Sequence, residues 1–242
     1  MVNQFLQELS IEEQSNLYST FGTIKDCVVI IALLLSCKRY QLEKKLCVRL
    51  FVVYAVAFYV GNISCNVLGA LTKGVIPKIN LGVAFLVFLV VFVLLVRLLK
   101  GSVQQFIDIA IPVFILGRGV GIIGCLFEGC CHGFPAAWGI YSDNAGTTVV
   151  PTVLIDIVAS YIIVAYLLLA GKKKPVPGMV AAKGILLFGV LRYVVDILRD
   201  NDKLFGMMTV EGICGIVYVL TGLILLYIVT NKKAQAEEAC TN

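Results

Sequence analysis

Seven long apolar blocks follow one another along this chain, and only short polar segments separate them. A helix needs about 20 apolar residues to cross a bilayer, and most of these blocks approach that length. A soluble fold would instead place polar residues on one face of each element. The pattern therefore predicts an all-α integral membrane protein with seven transmembrane helices. The predicted spans are Ile24–Cys37, Leu46–Leu71, Ile79–Leu99, Phe106–Cys125, Pro151–Ala170, Val180–Arg199 and Gly206–Val229.

The two ends of the chain differ from this central pattern. Residues 1–23 combine acidic and apolar positions, and Ser10 with Glu13 has the spacing of a capping box. We expect an N-terminal interfacial helix there. Residues 24–231 form one membrane domain, since no long polar linker divides them. Residues 232–242 are polar and are expected to form a disordered cytoplasmic tail.

Composition and charge agree with a membrane protein. Hydrophobic residues make up 60% of the chain and charged residues 14%, against about 45–50% and about 25% in soluble domains. The net charge of +5 is modest and indicates topology, not nucleic-acid binding. Thirteen basic residues fall on one side of the predicted spans and five on the other. The positive-inside rule then places the N-terminus outside and the C-terminus in the cytoplasm, in the plasma or inner membrane.

Charged residues from four predicted helices converge in the outer third of the membrane. An ionisable group at the bilayer centre costs at least about 2.5–3.5 kcal/mol, so such groups usually have a function. Two arginines that flank a carboxylate on one helix face suit a bound phosphate. The alternative is a structural ion-pair network, with Arg199 extending to the headgroups. The residues concerned are Arg118, Asp156, Arg192, Asp196, Arg199 and Glu211.

The outer end of the fourth span is rich in glycine and cysteine. Gly117 and Gly121 form a small-xxx-small pair, which permits close helix packing. A cluster of three thiols and the only histidine follows, formed by Cys125, Cys130, Cys131 and His132. Four interpretations stay open: a metal site, a thiol nucleophile paired with the histidine, a structural or redox disulfide, and simple packing.

The order of these features resembles the prolipoprotein diacylglyceryl transferases, and more closely their divergent relatives with a Gly-Cys-Cys-x-Gly element. The resemblance covers roughly residues 106–218. Its most specific part is Gly189–Arg199, which is similar to Gly-x-x-Arg-Phe-x-x-Glu-x-x-Arg of the family. Pro151–Asp156 resembles a His-Pro-x-Gln-x-x-Glu stretch. Other matching positions are Asp108, Pro112, Gly124, Gly129 and Gly133, with Cys130 in place of the signature glutamate.

The chain departs from the family pattern at three places. Ile122 occupies the position of the signature arginine, although Arg118 lies one turn earlier. Val150 replaces the histidine before Pro151. The family's His-Gly-Gly element is absent, and the corresponding region reads Asn80-Leu81-Gly82.

The resemblance implies a membrane transferase that uses a phosphatidylglycerol-like donor and moves a diacylglyceryl or related lipid group to a thiol or another nucleophile. Its partners would be that lipid and a lipoprotein precursor or small acceptor, with no cofactor, metal ion or nucleic acid. The alternatives are a membrane thiol/disulfide redox protein on the same scaffold and a non-catalytic phospholipid-binding protein. The expected catalytic residues are His132, Cys125, Cys130, Cys131 and Arg192, and the expected substrate-binding residues are Arg118, Asp156, Asp196, Arg199, Gly124, Gly129 and Gly133.

Overall fold

The described part of the chain folds as seven helices and one short β-hairpin. The computed structural model describes residues 11–71, 81–129, 131–142, 145–172, 176–200 and 208–241. The helices are α1 (Ile11–Arg39), α2 (Lys44–Leu71), α3 (Leu81–Leu98), α4 (Val103–Glu128), α5 (Thr152–Lys172), α6 (Met179–Leu198) and α7 (Val210–Thr241). Between α4 and α5, strands β1 (Pro135–Ser142) and β2 (Thr147–Val149) pair in antiparallel fashion.

The seven predicted spans correspond one to one with the seven helices, so the helical membrane fold is confirmed. Five of the helices are long and apolar enough to cross a membrane, namely α1, α2, α4, α5 and α7. Helix α3 is apolar but short. Helix α6 carries Lys183, Arg192 and Asp196, which lower its hydropathy. The crossing number and the orientation remain predictions.

The terminal helices are longer than the apolar pattern indicated. Helix α1 is continuous from Ile11 to Arg39, whereas the sequence predicted a separate interfacial helix over residues 1–23. Only residues 11–23 of that prediction lie within the described chain. Helix α7 continues to Thr241, whereas a disordered tail was predicted over residues 232–242. Hydropathy does not detect this extension, because Ala, Gln, Glu and Lys are polar or small residues that nevertheless favour helix.

Helix α4 lies at the centre of the bundle, and α1 packs along its glycine face. A Cβ added at Gly117 would lie 2.5 Å from Val29 Cγ2, and one added at Gly121 would lie 3.1 Å from Lys25 Cδ. The missing side chains therefore make room for α1. This confirms the close packing that the small-xxx-small pair predicted.

Glycines also join α6 to α7, and here backbone meets backbone. A Cβ at Gly189 would lie 2.7 Å from the Val219 nitrogen, and one at Gly222 would lie 2.6 Å from the Leu186 nitrogen. Such distances exclude any side chain without movement of the main chain. The close approach fixes the register between the two helices, and with it the side chains near the end of α6 and the start of α7.

Asp108 on α4 fixes the opposite end of α6. Its carboxylate accepts hydrogen bonds of 2.7 Å each from the backbone N–H groups of Gly178 and Ala181. These donors belong to the first turn of a helix, where backbone N–H groups have no partner within the helix. The capping residue thus comes from another helix, and it ties the start of α6 to α4.

The β-hairpin lies between the fourth and fifth predicted spans, where the sequence analysis predicted no strand. Gly139 has a φ of 137°, and both Pro135 and Ile140 pair with Val149, so the strand is irregular. This irregularity removes the clean alternation that identifies a strand in sequence. Trp138 remains 64% exposed on the hairpin. We call the end of the bundle that carries β1 and β2 the hairpin end.

Replacing Gly222 with leucine should destabilise the fold, because the new side chain would overlap the Leu186 backbone. Overpacking of this kind costs about 1–3 kcal/mol or more. The expected result is a lower midpoint of thermal unfolding, followed by circular dichroism in detergent. Gly22→Ala is the matched control, since nothing lies within 4 Å of a Cβ at that position. Equal midpoints for Gly222→Leu and wild type would contradict the close α6–α7 packing.

Candidate active site

Asp156 on α5 is the centre of a buried ion-pair network at the hairpin end. Its Oδ2 atom accepts hydrogen bonds from Arg192 Nη1 at 2.8 Å, Arg118 Nη2 at 3.0 Å and Arg199 Nη2 at 3.4 Å. The three arginines come from α4 and α6, so a single carboxylate joins three helices. The Asp156 side chain is fully buried.

Glu211 in the first turn of α7 extends the network to a fourth helix. Its Oε2 atom accepts hydrogen bonds from Arg192 Nη2 and, at 3.0 Å, from Arg199 Nη1. Each of these two arginines therefore bridges Asp156 and Glu211. A carboxylate in the first helical turn is also favoured by the partial positive charge at a helix N-terminus.

The network combines an excess of positive charge with unused hydrogen-bond donors. Three guanidinium groups face the two carboxylates that contact them, which leaves one unit of positive charge. The Nε atoms of Arg118, Arg192 and Arg199 are buried and have no hydrogen-bond acceptor among the described residues. Buried donors without acceptors are costly, so an added anion would find both charge and hydrogen bonds here.

Asp196 occupies a different environment from the one its spacing predicted. Its Oδ1 atom accepts a hydrogen bond from the Thr209 hydroxyl, which in turn accepts one from the Gly212 N–H at 3.2 Å. Within the described ranges, no basic side chain lies at ion-pair distance from it. Asp196 therefore joins α6 to the start of α7, whereas Asp156 and Glu211 contact the arginines.

A pocket lies beside the network, between the end of α4, the hairpin and the start of α5. It encloses about 610 Å³, part of it open to solvent, and apolar side chains form most of its wall. The lining residues with polar side chains include His132, Cys125, Glu128 and Gln14. Thr152 lies one helical turn before Asp156 on α5, so the pocket and the network share one helix.

The segment from Cys131 to Phe134 is held between α5 and α6. The Thr152 hydroxyl donates to the Cys131 carbonyl at 2.7 Å, and the Phe134 N–H donates to the Leu198 carbonyl at 3.2 Å. Gly133 forms an antiparallel bridge with Arg199. The backbone beside His132 is thereby fixed against the helix end that carries Arg199.

The three predicted glycines have a geometric reason to lack side chains. A Cβ at Gly124 would lie 3.1 Å from the Tyr18 ring on α1. One at Gly133 would lie 2.7 Å from the carbonyl oxygens of Leu198 and Val150. Gly129 ends α4 with a φ of 66°, a conformation that favours glycine. Gly129 also lines the pocket, whereas Gly124 and Gly133 allow close packing of neighbouring chain segments.

Seven of the twelve predicted site residues fall into two groups. Arg118, Asp156, Arg192 and Arg199 form the network, whereas Cys125, Gly129 and His132 line the pocket. Cys130 lies outside the described residues. The described part of the chain contains no group of three His, Cys, Asp or Glu side chains arranged to hold a metal ion.

The sequence grouped Glu211 with the arginines but did not identify it as a catalytic or substrate-binding residue. Its spacing shows no relation to the arginines, because it lies on another helix. Thr209 and Ser142 were also missed. The Ser142 hydroxyl is buried without a partner among the described residues.

Comparison with known proteins identifies the scaffold. The family model for prolipoprotein diacylglyceryl transferase matches residues 52–228, which is well over half of the chain. The chain belongs to this family. The match contains all five network residues, and it extends further toward the N-terminus than the motifs alone indicated.

Several members of the family are similar to this chain over part of their length. A phosphatidylglycerol–prolipoprotein diacylglyceryl transferase 2 of Clostridium perfringens is 27% identical over 146 residues, 57% of each chain. The enzyme of Dehalococcoides mccartyi strain 195 is 28% identical over 139 residues, 54% of this chain and 53% of its own. The enzyme of Finegoldia magna is 28% identical over 124 residues, which are 50% of this chain and 49% of its own. The matches thus span about half the length of these relatives.

Replacing Asp156 with asparagine should destabilise the protein, because three buried guanidinium groups would keep only one carboxylate. Breaking a buried ion pair costs about 3–5 kcal/mol. The measurement is the midpoint of thermal unfolding in detergent. Asp26→Asn is the matched control, since the Asp26 side chain is 53% exposed. If Asp156→Asn unfolded at the same temperature as Asp26→Asn, the network would not be a stability element.

Proposed function

We propose that this protein is a membrane transferase that takes a diacylglyceryl group from a phosphatidylglycerol-like lipid and transfers it to a thiol or another nucleophile. The observation that carries this proposal is the buried arginine network with its excess charge and three unused Nε donors. Membership of the transferase family supports the reaction class. The related proteins are named for phosphatidylglycerol and prolipoprotein, and we extend those substrates to this chain.

The arginines would bind the phosphate of the donor lipid. Guanidinium groups present donors in a planar fork that fits phosphate oxygens, and they keep their charge even when buried. Asp156 and Glu211 would hold the three groups in one orientation before the lipid arrives. This arrangement stabilises negative charge as it develops on the leaving group, without reorganisation during the reaction.

In the proposed step, the acceptor sulfur attacks the glyceryl carbon of the donor that bears the phosphate oxygen. A C–S bond forms and the C–O bond breaks, and glycerol phosphate leaves with the electron pair. The thiol proton moves to a base, for which the His132 imidazole in the pocket wall is our candidate. The balance requires no oxidant, reductant or metal ion.

The pocket would receive the acceptor. Its wall is mostly apolar, which suits a membrane-anchored segment with a small polar reacting group, such as a lipoprotein precursor. Cys125 contributes to the wall, and Cys131 lies next to His132 in the chain. We place this end of the bundle in the outer third of the cell membrane, in accordance with the basic-residue distribution.

Incubation of the purified protein with phosphatidylglycerol and a cysteine-containing acceptor peptide in nanodiscs tests the proposal. Mass spectrometry should detect glycerol phosphate and a peptide enlarged by the diacylglyceryl group. Arg192→Ala should lower the rate by about a hundredfold or more, because it removes transition-state charge stabilisation. His132→Ala should lower it by a comparable factor, because it removes the base.

Arg97→Ala is the matched control, since Arg97 is an exposed arginine at the end of α3, remote in sequence from the site. Its product yield should equal that of wild type. Intact lipid in every sample would refute the transferase function. Activity in wild type and Arg192→Ala alike would refute the role of the network.

A further inference from the structure

Glu211 belongs to the buried network, but the proposed contacts with the substrate do not include it. It lies on α7, it is 3% exposed, and its one contacting oxygen accepts hydrogen bonds from both Arg192 and Arg199. Asp156 already contacts these two arginines and also Arg118. A second buried carboxylate therefore weakens the positive field of the network, in addition to holding Arg192 and Arg199 in place.

The start of α7 is built to keep Glu211 in this position. Thr209 donates to Asp196 on α6 and accepts from the Gly212 N–H, so the first turn of α7 is tied to α6. A Cβ at Gly215 would lie 2.9 Å from the Tyr193 nitrogen, so the backbones of α6 and α7 are in close contact here. The Glu211 carboxylate cannot move away from the arginines without breaking this packing.

The charge balance then depends on Glu211. With Asp156 and Glu211 both ionised, the three guanidinium groups have one unit of positive charge left. A phosphodiester carries one negative charge and neutralises that unit. A phosphomonoester carries about −1.5 to −2 charges at neutral pH, so it would leave uncompensated negative charge in a buried site.

We propose that Glu211 is a specificity-determining residue that makes the arginine site select phosphodiester lipids over phosphomonoester lipids. The proposal rests on the function proposed above and deepens it, since it states which headgroup charge the site accepts. Asp196 lies near the network but outside ion-pair distance within the described ranges. Asp196 is present in wild type and in every Glu211 variant, so the comparison between them reports the effect of the change at Glu211.

The test is competitive binding of two lipids that differ by one methyl group and one charge. Dioleoyl phosphatidylmethanol and dioleoyl phosphatidate, in equal amounts at about pH 8 where the monoester is mostly dianionic, are offered to the protein in detergent. Native mass spectrometry counts the bound lipid of each mass. Wild type should prefer the phosphodiester by about tenfold or more, because excess buried charge is costly.

Glu211→Gln keeps the shape and one acceptor oxygen but removes the charge, so it should abolish or reverse this preference. Glu211→Asp keeps the charge and should retain it. Glu43→Gln, an exposed change in the α1–α2 loop, should match wild type. An unchanged preference in Glu211→Gln would overturn the proposal. Equal binding of phosphatidate and phosphatidylmethanol by the wild-type protein would also overturn it. This measurement does not depend on the folding of any variant.

The same proteins tested for glycerol phosphate release separate this inference from the proposed function. Charge-dependent selection without turnover of phosphatidylglycerol would refute the transferase and support the role of Glu211. Turnover of phosphatidylglycerol together with an unchanged headgroup preference in Glu211→Gln would refute the role of Glu211. It would still support the transferase function.

Discussion

The cost of burying charge in an apolar bundle governs the arrangement of this protein. Three guanidinium groups at the hairpin end are tolerable only because Asp156 and Glu211 reach them from two other helices. That requirement brings α4, α5, α6 and α7 together at one depth. Since each carboxylate serves more than one arginine, the helices cannot shift independently without breaking several contacts.

Glycines make this convergence possible. The pairs of glycines on α4 and on the α6–α7 interface let helices approach until main-chain atoms nearly touch. In a membrane, close packing of this kind provides attraction that the hydrophobic effect does not provide. The rigid frame then holds the arginines in one arrangement, which is what electrostatic stabilisation of a leaving group requires.

The same end of the bundle contains a second, less charged space. The pocket between the hairpin and α5 offers His132 and Cys125 in a mainly apolar wall, beside the network but separate from it. Two neighbouring compartments suit a reaction between a lipid and a second molecule. The chain segment around Gly133 lies at this end of the bundle, and it is held by backbone hydrogen bonds to Leu198 and Val150.

The sequence by itself determined the seven helices, because long apolar blocks can satisfy their backbone hydrogen bonds in a bilayer only as helices. It also indicated that Arg118, Asp156, Arg192 and Arg199 belong together, because charged residues at one depth must find partners. Only the tertiary structure decided which carboxylate meets which arginine. Glu211 and Asp196 are both acidic and both near the helix ends, but rotation of α6 against α7 turns one toward the arginines and the other toward Thr209. That rotation depends on packing between distant glycines, which no local pattern along the chain records.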